Sequence, residues 1–173
     1  MDTVGTIWTI GHSTRTLPEF LALLADNRIE ALADVRRYPG SRRYPHFNAE
    51  ALARTLEDSG IDYEPFPELG GRRKPRPDSP HTQWRNAAFR AYADYMDTPE
   101  FLAGVERLAT LAREKRTAVM CSEAVWWRCH RRLISGWFQA HGVRVLHILD
   151  AKHVVEHPAD AAPQAPNGEL DYG

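Results

Sequence analysis

The sequence predicts an α/β protein: a three-layer, mostly parallel sheet of about five strands with helices on both faces. Three observations carry that expectation. Short apolar runs alternate with longer amphipathic stretches, the pattern of βαβ units with right-handed crossovers. Each apolar run has the length of a buried strand rather than of a helix. Polar or glycine-rich residues follow every run, as at the carboxyl edge of a parallel sheet, where such folds place their ligands.

The elements are taken in chain order. Residues 6–10 (TIWTI) read as the first strand. A helix follows, opened by Thr16-Leu17-Pro18-Glu19, a capping box with an early proline. Phe20, Leu21, Leu23 and Leu24 form its apolar face. Residues 31–35 (ALADV) read as the second strand. Asn48 caps a helix that carries Leu52 and Leu56 and stops at Gly60. Residues 61–66 (IDYEPF) suggest the third strand, weakened at its end by Pro65. The stretch from Pro67 to Gln83 is proline-rich and basic, and connections of that length usually carry function. Helices are expected over 84–96 and 99–114, the second capped by Thr98 with Pro99 in its first turn. Residues 117–121 (TAVMC) read as strand four, 128–141 as a helix, and 143–149 (VRVLHIL) as strand five. One domain over residues 1–155 is expected. Residues 156–173, rich in Pro, Ala and acidic groups, read as a disordered tail.

Composition bounds the function. The chain has 173 residues, 43% hydrophobic and 26% charged, enough for one domain with a full core. No apolar stretch reaches membrane-spanning length, and the start lacks the charged and apolar regions of a signal peptide. The expectation is a cytoplasmic protein with no membrane partner. Net charge is −1, but no Lys or Arg follows Lys152, so residues 1–155 hold 22 basic and 19 acidic groups. That balance alone does not call for nucleic acid.

The distribution of cations is more informative. Eleven of the 22 basic residues fall in three clusters that follow strands two, three and four. These are Arg36, Arg37, Arg42 and Arg43; then Arg72, Arg73, Lys74 and Arg76; then Arg128, Arg131 and Arg132. Tyr38, Tyr44, His46 and Phe47 are interleaved. Such an edge suits an extended phosphate-bearing ligand or nucleic acid. Solvated surface loops are the plainer reading of any charge run.

The segment Cys121–Arg131 (CSEAVWWRCHR) concentrates the chemistry. Cys121 is placed at a strand end, where a following helix N-terminus and nearby arginines favour a thiolate. Glu123 offers an acid or base, and Asp34 makes a second carboxylate beside the cations. His130 and His12 could move protons or orient a ligand. Arg36, Arg128 and Arg131 offer planar forks for phosphate or carboxylate. Gly70 and Gly71 permit a close backbone approach. Of Trp126 and Trp127, at least one belongs to the core. Cys121, Cys129, His12 and His130 are legitimate zinc ligands, but there is no CxxC pair, and Cys129 and His130 on one helix would point about 100° apart. No metal and no cofactor are expected. Walker A and GxGxxG patterns are absent.

These residues add up to a resemblance. Thr9-Ile10-Gly11-His12-Ser13, Asp34-Val35-Arg36, Pro39-x-Ser41, Leu69-Gly70-Gly71, Phe89-x-x-Tyr92 and Cys121-x-Glu123…Cys129-His130-Arg131 resemble the domain of unknown function 488 family, over about residues 6–150. The resemblance implies a compact α/β domain with one shared site. It adds Ser13, Ser41 and Tyr92 to the substrate-binding candidates, although Phe89 and Tyr92 alone would read as core. It implies no reaction.

The sequence therefore leads to an enzyme acting on a phosphate-bearing substrate, nucleotide or nucleic acid, at the carboxyl edge of the sheet. Cys121, Glu123, His130, Asp34 and His12 would be catalytic. Ser13, Arg36, Ser41, Gly70, Gly71, Arg128, Arg131 and Tyr92 would hold the substrate. Two alternatives stand beside it: a non-catalytic nucleic-acid-binding module, and a thiol-redox or metal-dependent enzyme centred on Cys121 and Cys129.

Overall fold

The computed structural model describes residues 5–40, 43–74, 76–81, 84 and 86–158. Its elements are β1 (Thr6–Gly11), α1 (Leu17–Asp26), β2 (Ala31–Asp34), α2 (Ala49–Asp58), β3 (Asp62–Pro65), α3 (Ala87–Tyr95), α4 (Pro99–Glu114), β4 (Thr117–Cys121), α5 (Arg131–Ala140), β5 (Arg144–Ile148) and β6 (Val154–Glu156). The sheet order is β3-β2-β4-β1-β5-β6. β1 to β5 run parallel, and β6 pairs antiparallel with β5.

Strand alternation sorts the core onto two faces. Trp8, Ile10, Leu32, Ala118, Met120 and Ile148 meet Phe20, Leu23 and Leu24 of α1 and Leu52 and Leu56 of α2. Ile7, Ala33, Val119 and Val145 meet α3, α4 and α5 through Tyr92, Phe101, Val105, Leu133 and Phe138. The three-layer α/β architecture is thus present. Each large apolar side chain fully withdrawn from water contributes about 1.5–3 kcal/mol. No helix among the described residues is long and apolar enough to cross a membrane.

The predicted caps of α1 and α4 form. Thr16 accepts from the Glu19 backbone while Glu19 reaches back to the Thr16 backbone, and Thr98 accepts from the Phe101 backbone. Three features differ from the sequence reading. α3 starts at Ala87 rather than residue 84, because Asn86 accepts from the Ala88 and Phe89 backbones and so fixes the start there. The helix expected over 128–141 begins at Arg131. Trp126–Arg128 make a 3₁₀ turn that buries Trp126, and Cys129 is extended. A sixth strand closes the sheet. It is only three residues long and exposed along its length, so it carries no alternation to read. Ordered chain passes the expected boundary at residue 155, since Glu156 is in β6 and His157 is 1% exposed. Residues 159–173 of the expected tail lie outside the described residues.

Candidate active site

The carboxyl ends of β1, β2 and β4 open into a cavity of about 580 Å³. Of the residues expected there, His12, Ser13, Arg36, Gly71, Tyr92, Cys121, Glu123, Arg128 and His130 line it. Close backbone packing shapes it. A Cβ at Gly11 would collide with the Glu123 carbonyl, and one at Gly70 would lie 2.5–2.6 Å from Arg37 backbone and Cβ atoms. Glycine is therefore required at both points for the loops after β3 and β4 to approach the strands. Gly70 acts by this packing rather than by touching a ligand. Ser13 adopts a left-handed backbone (φ 48°), a strained turn at the cavity wall.

The inner wall is a pair of thiols. Cys121 and Cys129 are free cysteines whose sulfurs lie 2.7 Å apart. Arg131 stands behind them, 1% exposed. Its Nε donates to Cys121 Sγ (3.0 Å), Nη1 to Thr9 Oγ1 (3.1 Å) and Nη2 to the Glu123 carbonyl (2.6 Å), and its backbone N–H donates to Cys129 Sγ (3.4 Å). A buried guanidinium requires a compensating negative charge. Among the described residues no carboxylate meets it, so the sulfur pair it contacts is the group available to supply that charge. Burial opposes ionisation of Cys129, yet the Cys121 hydrogen bond and the Arg131 charge outweigh it and bring that thiol down to about 7. Burial first, then the coupling to Cys129, pushes Cys121 well up. The sequence reading favoured a thiolate at Cys121; in the structure Cys129 is the more acidic of the two thiols, through the Cys121 hydrogen bond and the charge and N–H of Arg131.

His130 is the fourth member. Its Nε2–H donates to the Val35 carbonyl (2.8 Å), which leaves Nδ1 facing Cys129 Sγ at 3.5 Å. Burial holds the ring below its ordinary pKa, hence neutral. Tyr92 packs against this ring at 5.3 Å and donates its hydroxyl to the Leu69 carbonyl (2.7 Å). A Cβ on Gly71 would sit 3.1 Å from His130 Nδ1. Cys129 and His130 converge because neither lies within a regular helix. Among the described residues no group of three or more His, Cys, Asp or Glu side chains is arranged to hold a metal ion.

The opposite wall is a fixed charge assembly. Asp34 accepts both arms of Arg36 (2.8 and 2.7 Å), the Arg36 backbone N–H and the Tyr63 hydroxyl (2.6 Å). Those bonds occupy its oxygens, and the carboxylate does not line the cavity. Asp34 therefore anchors Arg36 instead of exchanging protons with a ligand. Burial works against the Arg36 charge, but Asp34 outweighs it and holds the guanidinium above its ordinary pKa. Arg36 meets His12 Nε2 at 3.3 Å, while His12 Nδ1–H donates to the Ser13 carbonyl (3.0 Å). Burial, reinforced by Arg36, brings His12 down to about 4, so it is a neutral ring at pH 7. It stacks on Phe47 at 4.4 Å.

The mouth is cationic. Arg37, Arg72 and Arg128 line it, and none of the three has a carboxylate partner among the described residues. Tyr38, 60% exposed, lies between two of them, with the Arg37 and Arg72 guanidinium carbons 5.4 and 5.8 Å from its ring centre. Glu123 is the one carboxylate lining the cavity among the described residues. Its side chain is exposed and makes no hydrogen bond among the described residues. Trp126 is buried and Trp127 is exposed, as expected for one core member of that pair. Arg131 is internal and does not reach the cavity surface, so it acts on the thiols and not on an anion directly. Ser41 and Arg42 lie outside the described residues.

Sequence reasoning missed a buried polar chain behind Arg131. Thr9 Oγ1 meets His147 Nδ1 (2.6 Å), and His147 Nε2 meets His157 Nδ1 (2.9 Å). Trp126 stacks flat on His147 at 4.5 Å. The available signal was Thr9 and His147, polar residues inside the mainly apolar runs TIWTI and VRVLHIL.

The chain matches no curated protein and no solved structure. Residues 16–138 match the model of the family described as "Domain of unknown function DUF488", which spans α1 to α5 and all of the site's loops except the one after β1. That match covers well over half of the 173 residues, and the chain belongs to the DUF488 family.

Proposed function

We propose that the cavity is the active site of an enzyme acting on a phosphate-bearing substrate of the nucleotide or nucleic-acid class. One observation carries this reading: three arginines without carboxylate partners among the described residues surround the mouth of a cavity whose inner wall holds an acidic thiol. Arg37, Arg72 and Arg128 would take the anionic groups, since guanidinium forks match phosphate geometry. Tyr38 offers a face on which a base can stack, as in sequence-tolerant nucleic-acid sites. Cys129 is the nucleophile candidate, held by the Arg131 backbone N–H and backed by the neutral His130 Nδ1. Glu123 is the acid–base candidate, because it alone among the described lining residues is an unpaired carboxylate.

Calorimetric titration with pyrophosphate and with nucleoside monophosphates tests the binding half. Saturable binding is expected, weakening with salt. Changing Arg72 and Arg128 together to Glu should weaken it by at least about tenfold, the equivalent of about 1.4 kcal/mol. Chromatography of nucleotides and short oligonucleotides after incubation tests the catalytic half. Glu123→Gln should stop turnover and leave binding intact. Salt-sensitive binding without turnover of any of these would make the site a non-catalytic nucleic-acid-binding module. No saturable binding would end the reading altogether.

A further inference from the structure

We propose that Cys121 and Cys129 form a peroxide-responsive dithiol that closes reversibly to a disulfide and thereby switches the site. The dithiol closure rests on the sulfur geometry alone, and its effect on the site rests on the reading above that makes Cys129 the nucleophile candidate. Four observations support it.

The two sulfurs are already 2.7 Å apart, so bonding requires a shift smaller than one ångström, given an S–S bond of about 2.05 Å. Both cysteines are buried, yet both are among the residues that line the cavity. The two thiols differ in character. Cys129 faces a backbone N–H and an imidazole nitrogen, whereas Cys121 can donate its S–H to the Glu123 carbonyl (3.8 Å). A low-pKa thiol beside a protonated one is the pairing that oxidant-sensing cysteines use. Finally, Arg131 spans both sulfurs, one through its side chain and one through its backbone, and holds them in register.

The steps balance as follows. The Cys129 thiolate attacks one oxygen of a hydroperoxide; the O–O bond breaks, and the departing alkoxide or hydroxide takes a proton from solvent. Cys129 is then a sulfenic acid. Cys121 attacks that sulfur, the S–O bond breaks, and the Cys121 proton leaves with the hydroxyl as water. The two sulfurs have lost two electrons, and the peroxide has become an alcohol (or water) plus one water. Closing the bridge removes the thiolate that compensates Arg131. The disulfide should therefore be readily reduced, as bridges in uncompensated or strained surroundings are.

The test is intact-mass analysis of the full chain under non-reducing conditions after hydrogen peroxide. The expected product lacks the mass of two hydrogens, and dithiothreitol restores the original mass. Cys121→Ser should stop at the sulfenic acid, seen as a dimedone adduct that peptide mapping places on Cys129. Cys129→Ser should give neither product. The wild-type measurement stands even if a variant misfolds. An unchanged wild-type mass, or over-oxidation of Cys129 without a disulfide, would overturn the proposal. Either result leaves pyrophosphate binding untouched, so the two readings fail separately.

Discussion

Arg131 shows how much one side chain can determine. It sits in the core with no carboxylate beside it among the described residues, so its charge lowers the pKa of the Cys129 thiol it touches. Lysine would keep the charge but lose the planar fork that reaches Cys121, Thr9 and the Glu123 carbonyl together. In Arg131→Lys the Cys129 thiol should rise from about 7 by roughly one unit, the size expected for a lost charge-assisted bond. The pH dependence of thiolate ultraviolet absorbance and of alkylation rate measures that shift. An unmoved titration would show that the backbone N–H alone sets the thiol. The sequence already drew attention to CSEAVWWRCHR and to His12, Asp34 and Arg36, because reactive residue types fell together at strand ends. It could not separate residues that touch the cavity from those that brace it. Asp34 and Gly70 brace, and Arg131 lies behind the thiols. Only the direction of each side chain distinguishes these roles, and spacing does not encode direction once the helix starts three residues late.

At the scale of elements, strands set the positions and loops supply the chemistry. β1, β2, β4 and β5 were legible because they are mostly apolar runs between two helical layers. α1 and α4 were legible through their caps. The start of α5 was not, since Trp126 must insert beneath the sheet edge before the helix can begin, a tertiary demand that overrides local propensity. The loop after β3 is tied to α3 by the Tyr92 hydroxyl on the Leu69 carbonyl, and that tie keeps Gly71 against His130. Tyr92→Phe removes one buried hydrogen bond and orphans a carbonyl. Its expected cost is about 1–2 kcal/mol in urea unfolding, with faster amide exchange concentrated at residues 69–72. A loss spread evenly over the chain would argue against this tie.

Besides His130, the described residues include three more histidines held neutral by burial. His12 and His157 are brought down to about 4, and His147 further, with like charge from the neighbouring ring and Arg131 adding to burial. In the unfolded chain each would titrate near 6.5. Below that pH the unfolded state binds protons that the folded state refuses, so stability is full above about 6.5 and falls as pH drops toward 4. Allowing for residual screening, each of the two that reach about 4 contributes roughly 2 kcal/mol to that loss. Urea midpoints measured between pH 7.5 and 4.5 should decline accordingly, and His147→Gln should flatten the decline. A profile flat down to pH 4.5 would contradict the assignment of neutral rings.

The strand order has one more consequence. β1 and β2 never touch; β4 lies between them and is the only strand bonded to both. In the first half of the chain, β1 and the β2–β3 pair therefore share a helical layer but no ladder of strand hydrogen bonds. Both halves wait for a strand that arrives about 80 residues after β2, a separation that makes ring closure slow. The same strand ends in Cys121, so the sheet becomes continuous in the step that delivers the first thiol. The cavity wall and the sheet are therefore completed by the same strand.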